Sequence, residues 1–308
     1  MIAVILACCL SVLAQKEIVF SPQWTAQAQF AGFYIADVKG YYREAGLNVR
    51  IQHPSVSNSC ISQLKEGKSQ IITLHLSSAL RFINEGMPLV NVMQILQNNS
   101  QVIVSHKPLN SIHDLKGKRV GCWKAGFTEL AYIMDKQLQL GIEWIPFISH
   151  INLYISKAID ATLAQDYNEL FQLKLAGQRI QDNQIIHLSD IGFNIPADGL
   201  YVKADYYRKN KAEIDKFVAA TKKGWEWAAQ HPKETLDIVM DVCKKNNVKT
   251  NRPTQQWMLQ QFTNLMIDKK SGKRTYLLDT NSLDMANRLM YDNGFLKKKI
   301  TYQQITQP

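Results

Sequence analysis

The segment KEIVFSPQWTAQAQFAGFYIADVKGYYREAGLNVRI, residues 16–51, decides the fold class because it contains a complete strand–helix–strand unit. Residues 16–20 predict a short strand, which a polar and aromatic loop follows. Apolar residues at helical spacing predict a helix over 31–42, closed by Gly46. Residues 47–51 alternate apolar and polar side chains, as a strand does when one of its faces is buried.

The same alternation of strands and helices continues beyond this unit. The further predicted strands cover residues 71–74, 90–95, 102–105, 119–123, 145–149, 161–164, 185–188 and 200–203. Predicted helices lie between them, among them 77–85 and 127–140, and the chain from 204 to 307 is mostly helical. This order predicts an α/β fold with parallel-rich sheets, in which ligands bind at the carboxyl ends of the strands.

The length of the chain and its pattern predict two lobes. A chain of 308 residues suggests about two domains, at roughly 100–200 residues for each. The strand pattern places crossings between the lobes near residues 105–107 and 199–203. We therefore expect one lobe from residues 15–105 with 200–308, and a second lobe from residues 106–199.

The composition is that of a foldable globular chain. Hydrophobic residues make up 46% and charged residues 20%, which excludes disorder. No apolar run approaches the ~20 residues of a bilayer-spanning helix, which excludes a multispanning membrane protein. The 36 basic and 26 acidic residues give a net charge of +10. No zinc-finger spacing or arginine–aromatic platform accompanies these charges, so we expect no nucleic-acid partner.

The first fourteen residues predict an export signal. The apolar run 2–14 is too short to span a membrane but fits the core of a signal peptide, although no positive residues precede it. Small residues around Ala14 place the cleavage after it and the mature protein in the periplasm. Two alternatives stay open: Ile5-Leu6-Ala7-Cys8 resembles a lipobox that would anchor a lipidated Cys8, or the run forms a first buried strand or helix.

Cysteine and histidine spacing predicts no metal site. Cleavage would leave Cys60, Cys122 and Cys243, without any CxxC pair. The seven histidines show no HxH or HExxH spacing. One disulfide stays open as an alternative to free thiols.

Several segments together resemble one known family. Residues 23–34, QWTAQAQFAGFY, resemble the opening signature of periplasmic solute-binding proteins, in the branch that binds thiamine pyrimidine precursors, riboflavin-like heterocycles and sulfonates. Residues 115–121 resemble the family's entry to its second lobe. Residues 159–161 followed by Tyr167-Asn168-Glu169 resemble its aspartate-then-YNE element, and residues 220–232 its return helix. The resemblance implies a two-lobed type II periplasmic-binding fold with two crossovers, which closes on its ligand by a hinge.

The resemblance implies a cleft lined by loops from both lobes. Trp24 offers a planar ring that stacks on a flat heterocycle, unless it packs on its own lobe. Gln27 and Gln29 suit ring nitrogens and exocyclic amines, unless they face solvent. Trp123 offers a second stacking surface. The turn after it, with Lys124, suits an anionic group at a helix start.

The second-lobe element Tyr167-Asn168-Glu169 is the sharpest candidate for ligand selection. A carboxylate beside an amide holds an amino-substituted heterocycle by paired hydrogen bonds. The alternative is a helix start, with Asn168 as the N-cap and Glu169 in the first turn. We also place Ser77, in the cleft loop 75–78, and Asp198, as a wall or hinge residue, among the ligand-binding residues.

The family's synthase branch implies different residues. The resemblance assigns that branch a lysine followed four residues later by a histidine, for pyridoxal phosphate and its own pyrimidine ring, and a cysteine-rich iron-binding run. Aligned through residues 66–68, the two positions fall on Leu74 and Ser78, and His75 is out of register. We therefore expect neither enzymatic activity nor a cofactor.

The sequence thus predicts the solute-binding component of an ABC importer that captures a small aromatic heterocycle, such as a thiamine pyrimidine precursor. Its expected partners are that ligand and the permease and ATPase subunits in the inner membrane. Two alternatives remain. One is a ligand-sensing module for a membrane histidine kinase. The other is a binder of sulfonate or taurine-type anions, which requires a basic side chain in the cleft, where Lys124 is the obvious candidate.

Overall fold

The computed structural model describes residues 16–55, 57–124, 127–147 and 151–306, and its strands form two five-stranded sheets. The predicted export signal lies outside the described residues. The strands are β1 (Glu17–Ser21), β2 (Asn48–Ile51), β3 (Ile71–His75), β4 (Leu89–Gln94), β5 (Gln101–Ser105), β6 (Arg119–Trp123), β7 (Glu143–Phe147), β8 (Ala161–Gln165), β9 (Ile185–His187) and β10 (Asp198–Lys203).

The two sheets share one arrangement of strand directions. The first has the order β2-β1-β3-β10-β4, and the second the order β7-β6-β8-β5-β9. In each sheet the first three strands are parallel, and the fourth runs antiparallel to both of its neighbours. Strands β3, β5 and β8 are buried along their whole length, whereas the edge strand β2 is not. Helices therefore cover both faces of each sheet.

Twelve α-helices surround the sheets within the described residues. They are α1 (Ala31–Val38), α2 (Tyr41–Glu44), α3 (Cys60–Lys65), α4 (Leu76–Asn84), α5 (Glu129–Leu138), α6 (Asn152–Ile155), α7 (Glu169–Leu175), α8 (Ala204–Gln230), α9 (Pro232–Lys245), α10 (Arg252–Leu265), α11 (Thr280–Asp292) and α12 (Tyr302–Thr306). The described part of the chain holds no helix with the length and apolarity needed to cross a bilayer.

Two predicted helices differ from the structure because a backbone angle interrupts them. The helix predicted over 31–42 is split into α1 and α2, because Gly40 adopts a φ of +79°. The helix predicted from Phe127 begins only at Glu129, because Phe127 adopts a φ of +64° that an α-helix does not hold.

The strand pairing moves both crossings toward the N-terminus. We had expected β5 in the first lobe, but it pairs with β8 and β9 of the second sheet. We had expected Asp198 and Gly199 in the second lobe, but they pair with β3 in the first sheet. The pattern of a fully buried strand does not encode which sheet it joins. Asn99 donates its backbone N–H to Asn194 Oδ1 over 2.8 Å, so the two crossing segments hold each other.

Close helix packing organises the core of the first lobe. Helix α1 lies against α8, where a Cβ on Gly224 would lie 2.1 Å from the carbonyl oxygen of Gly32. Trp225, the next residue, is fully buried and stacks on Phe262 at 5.3 Å between ring centroids. The return-helix residues of the sequence thus pack the lobe and do not line a ligand site.

We expect Gly224→Ala to lower the free energy of unfolding by about 1–3 kcal/mol, because the added methyl group meets backbone rather than a flexible side chain. Chemical denaturation measures this value. Lys216→Ala, an exposed change on the same helix, is the control and should stay within about 0.5 kcal/mol. Equal stabilities of the two variants would contradict the close approach of α1 and α8.

Candidate functional site

A small cavity lies between the two lobes, at the carboxyl ends of four strands. The first lobe contributes residues after β1 and at the end of β3, and the second lobe contributes residues at or after the ends of β6 and β8. The empty space between the lining atoms, with the part open to solvent, is about 320 Å³. The lining residues are Gln23, Trp24, Gln27, Gln29, His75, Trp123, Phe127, Gln165, Tyr167, Asn168 and Glu169.

Most of the sequence-predicted site residues meet in this cavity. Those that line it are Trp24, Gln27, Gln29, Trp123, Tyr167, Asn168 and Glu169. Ser77 is buried in the first turn of α4 and is not part of the lining. Asp198 is also not in the lining, because it lies behind Gln29, fully shielded from solvent.

Four lining residues were not predicted individually. Gln23 follows the same strand as Trp24, and Gln165 and His75 are the last residues of their strands, so the carboxyl-end rule could have found all three. Phe127 reaches the cavity from a left-handed backbone position, which the sequence does not reveal. Ala125 and Gly126 of the predicted anion-binding turn lie outside the described residues.

Aromatic rings from both lobes face the cavity. Trp24 and Phe127 meet edge to face, with 5.8 Å between ring centroids. His75 lies 4.7 Å from the same phenyl ring. Trp123 is buried at the opposite side and stands edge to face with Phe147. A flat ring entering the cavity therefore meets aromatic surface from each lobe.

Glu169 is the one buried carboxylate that lines the cavity. Its Oε2 accepts the backbone N–H of Gln165 over 2.9 Å, and its Oε1 accepts a side-chain N–H of Asn168 over 3.1 Å. The Trp123 indole also donates a hydrogen bond to it. Burial raises the pKa of Glu169, and these hydrogen bonds partly oppose that rise.

The structure confirms the positions of the helix-start alternative but not its side-chain cap. Asn168 lies at the N-cap position of α7 and Glu169 in its first turn, but the Asn168 side chain makes no capping hydrogen bond to the start of α7. Its Oδ1 accepts instead from Gln172 Nε2 over 2.7 Å, and its amide nitrogen holds Glu169. Asn168 therefore orients the carboxylate and does not cap the helix with its side chain.

The charged side chains near the cavity are few in the described part of its lining. No lysine or arginine occurs among the described lining residues, and Lys124 is exposed outside the lining. The described residues include no group of three or more His, Cys, Asp or Glu that could hold a metal ion. Cys60, Cys122 and Cys243 are buried free thiols.

Contacts between the lobes flank the cavity on two sides. On one side Glu129 of α5 accepts hydrogen bonds from Ser78 and Arg81 of α4, at 3.0 and 3.4 Å. On the other side the Trp257 indole donates to the carbonyl of Asp166 over 3.1 Å and stacks on Phe171 with 4.9 Å between centroids. The structure therefore shows the two lobes in contact around the cavity.

His53 supports the loop that carries Trp24. The Gln27 backbone N–H donates to the Tyr34 hydroxyl, which leaves that hydroxyl to donate to His53 Nε2 over 2.9 Å. His53 Nδ1 then donates to the carbonyl of Trp24 over 2.7 Å. This chain of hydrogen bonds requires a neutral imidazole, and burial lowers the pKa of His53 to about 4.

The lowered pKa of His53 predicts a pH-dependent stability. Since the unfolded chain takes up this proton near pH 6.5 and the folded chain only near pH 4, stability is full above pH 6.5 and falls as the pH falls toward 4. The loss should reach at most about 3 kcal/mol at 1.36 kcal/mol per pKa unit. Denaturation between pH 7 and 4 measures it.

His53→Gln is the matched comparison, because its amide keeps one donor and one acceptor but does not titrate in this range. We expect the variant to lose less stability on acidification than the wild type. The same slope in both proteins would show that another group carries the pH dependence.

Two sheets of matching strand directions, joined by two crossings with a cavity between the lobes, define a two-lobed ligand-binding fold of the type II periplasmic-binding class. Residues 27–235 match the family model described as NMT1/THI5 like, and the chain belongs to this family. The aliphatic sulphonate binding protein SsuA from Escherichia coli has the same fold, with a TM-score of 0.69 at 14% identity over 96% of this chain and 93% of its own.

Relatives of known name include binding proteins and enzymes. The riboflavin-binding protein RibY of Chloroflexus aurantiacus is 24% identical over 72% of this chain, and the match spans 65% of that relative's length. A formylaminopyrimidine-binding protein of Halalkalibacterium halodurans is 20% identical over 80% of this chain and 75% of its own. A 4-amino-5-hydroxymethyl-2-methylpyrimidine phosphate synthase of Aspergillus parasiticus is 22% identical over 87% of this chain and 82% of its own.

Proposed function

We propose that this chain is the solute-binding component of an ABC importer, and that it captures a small aromatic heterocycle with N–H donors, such as a thiamine pyrimidine precursor. One observation carries the proposal: the cavity joins aromatic rings from both lobes to the buried carboxylate of Glu169, and its described lining contains no lysine or arginine.

The chemistry of the lining favours a ligand that donates hydrogen bonds. Rings from both lobes provide flat apolar surface for an aromatic ligand. Glu169 is 8% exposed, and an ionised carboxylate accepts hydrogen bonds without donating any. An amino-substituted ring satisfies both features, because its plane stacks while its N–H groups reach the carboxylate.

The names of relatives support a heterocycle over other small molecules. Two of them are named for binding riboflavin and formylaminopyrimidine, both of which are nitrogen heterocycles. SsuA shares the fold at 14% identity, and that likeness concerns the fold alone. The proposed export signal and the proposed importer partners are consistent with such a role.

A binder of sulfonates is the weaker second candidate. A sulfonate group calls for lysine or arginine, or for a cluster of N–H donors, around its oxygens. Glu169 would instead place a carboxylate near that negative charge, and Lys124 does not reach the lining. The proposed ligand is therefore neutral or cationic at the ring that enters the cavity.

The structure also bears on the synthase alternative. Leu74, at the position the resemblance assigns to the lysine, is a buried residue of β3. Ser78, at the histidine position, donates its hydroxyl hydrogen bond to Glu129 between the lobes. Neither side chain offers an amine or an imidazole, so we propose binding without catalysis.

We expect ligand binding to close the two lobes further or to hold them closed. With 4-amino-5-hydroxymethyl-2-methylpyrimidine at saturation, small-angle scattering should show a smaller radius of gyration than the ligand-free protein. Glu129→Gln weakens one flanking contact and should give the larger radius without ligand. Identical scattering profiles of the free and saturated wild type would contradict a two-lobe clamp.

We expect Glu169→Gln to weaken binding of the same pyrimidine by roughly 10- to 100-fold. Charge-assisted hydrogen bonds contribute about 1.5–3 kcal/mol, and each decade of affinity corresponds to about 1.4 kcal/mol. The glutamine side chain keeps the shape of glutamate but carries no charge. Its amide N–H faces the N–H groups of the protein and the ligand that donate to Glu169 in the wild type. Isothermal titration calorimetry measures the change.

Glu143→Gln is the control, because it is the same substitution at an exposed residue of β7 in the same lobe, outside the lining. This control should bind within about twofold of the wild type. The ligand-free melting temperature of each variant must accompany the titration. Equal affinity of Glu169→Gln and wild type would reject the role of the carboxylate, and so would a loss of affinity matched by an equal loss of stability.

A further inference from the structure

Three glutamine side chains, Gln23, Gln27 and Gln29, lie beside Trp24 and His75 in the first-lobe wall of the cavity, and the buried carboxylate of Asp198 lies behind Gln29. We propose that Asp198 is the positioning residue that fixes the direction of the hydrogen bonds in this wall, so that the wall offers amide oxygens to the ligand. This inference rests on the proposed function, because it concerns how the same cavity selects its ligand.

The backbone holds Asp198 in place without help from its side chain. Asp198 is the first residue of β10 and pairs with His75 of β3. Its carbonyl oxygen accepts the backbone N–H groups of Ile95 and Leu96, at 2.9 and 3.0 Å. The residue is 0% exposed. Its carboxylate is therefore a fixed point behind the cavity wall.

The carboxylate determines how the amide of Gln29 is turned. Asp198 Oδ2 accepts a hydrogen bond from Gln29 Nε2 over 2.7 Å. A glutamine amide has nearly the same shape after a 180° rotation, so only its partners decide which end is the donor. Because a carboxylate oxygen accepts the N–H of an amide, this bond turns the nitrogen of Gln29 toward Asp198 and its oxygen away.

The fixed amide of Gln29 then determines the orientation of Gln27. Gln29 Oε1 points away from Asp198 and accepts a hydrogen bond from Gln27 Nε2 over 2.5 Å. Gln27 Oε1 accepts no hydrogen bond from the described residues, and Gln27 lines the cavity. Because Asp198 accepts from Gln29 and Gln29 accepts from Gln27, the oxygen of Gln27 is the end of this chain that remains for the cavity.

The side-chain amide of Gln23 on the same wall has no partner in the described part of the chain that fixes its direction. Its buried Oε1 has no hydrogen-bond partner among the described residues, and either end of such an amide can turn to a ligand. A buried polar group without a partner is costly, and a ligand that bonds to it removes that cost. With Glu169 on the opposite lobe, the cavity offers acceptors from both sides. The inferred ligand class is a heterocycle with N–H donors on two edges.

Gln29 is the side chain through which Asp198 acts on the wall. His75 Nε2 lies 3.3 Å from Asp198 Oδ1, but this oxygen has no hydrogen-bond partner of good geometry among the described residues. The effect of changing Asp198 on the wall is therefore expected to travel through Gln29.

Asp198→Asn tests the inference directly, because the asparagine side chain either donates to or accepts from Gln29. Two probes of similar shape report on the wall: 4-amino-2-methylpyrimidine, which donates N–H, and 4-methoxy-2-methylpyrimidine, which does not. By calorimetry the wild type should prefer the amino probe at least tenfold. Asp198→Asn should lower this preference at least threefold, and Glu169, which the variant keeps, should account for the preference that remains.

The exchanged pair Asp198→Asn with Gln29→Glu should restore the preference. A glutamate at position 29 accepts from both the new asparagine and Gln27, so Gln27 again turns its oxygen to the cavity. Gln29→Met is a second route, because it breaks the chain of amides without changing Asp198, and it should lower the preference as Asp198→Asn does. A purely structural Asp198 would weaken both probes equally, and the exchange would restore nothing; that result overturns the inference.

A ligand-free measurement separates this inference from the proposed function. The side-chain amide resonances of Gln27 and Gln29 in ¹⁵N-labelled protein should both shift in Asp198→Asn, and that of Gln27 should return in the exchanged pair. A Gln27 resonance that stays unchanged in Asp198→Asn overturns the inference whichever ligand binds. Failure of the wild type to bind either probe, with these shifts present, overturns the proposed function and leaves the amide chain established.

Discussion

The insertion of β10 between β3 and β4 is the constraint on which the rest of the structure depends. This antiparallel strand arrives from the second lobe, completes the first sheet and pairs Asp198 with His75 at the edge where the cavity lies. The carbonyl oxygen of Asp198 accepts the backbone N–H groups of Ile95 and Leu96, which lie close to where the other crossing leaves the first lobe. The start of β10, the first sheet and the support of the cavity wall therefore meet at one buried position.

The parts of the fold that follow from local pattern could be predicted from the sequence. Alternating strands and helices predicted two α/β lobes, and the resemblance to solute-binding proteins implied the cleft in which the structure places Trp24, Trp123 and Glu169. The pairing of β5 could not be predicted, because the sequence of a strand that is buried on both faces does not indicate which of the two sheets it joins. Asp198 was placed in the lining for a similar reason: sequence order does not tell whether a side chain lies in the first layer around a cavity or in the second.

The two carboxylates near the cavity differ in what surrounds them. Glu169 accepts hydrogen bonds through both oxygens, from Gln165, Asn168 and Trp123, which stabilises a charge that burial disfavours. Asp198 has one oxygen bonded to Gln29 and one without a good partner. A buried carboxylate with so few hydrogen bonds lowers the stability of the fold, while its bond to Gln29 fixes the orientation of the amides in front of it.

The contacts between the lobes beside the cavity determine how much of the free energy of lobe closure a bound ligand must supply. Arg81 and Glu129 form a partly exposed ion pair, and such pairs contribute little in water. Trp257 on Phe171 adds aromatic surface on the other side. Glu129 Oε2 is itself buried without a hydrogen-bond partner among the described residues, so the protein alone leaves acceptors unsatisfied both at this contact and in the cavity. A ligand that donates to the interior acceptors therefore adds the stabilisation that the closed lobes lack.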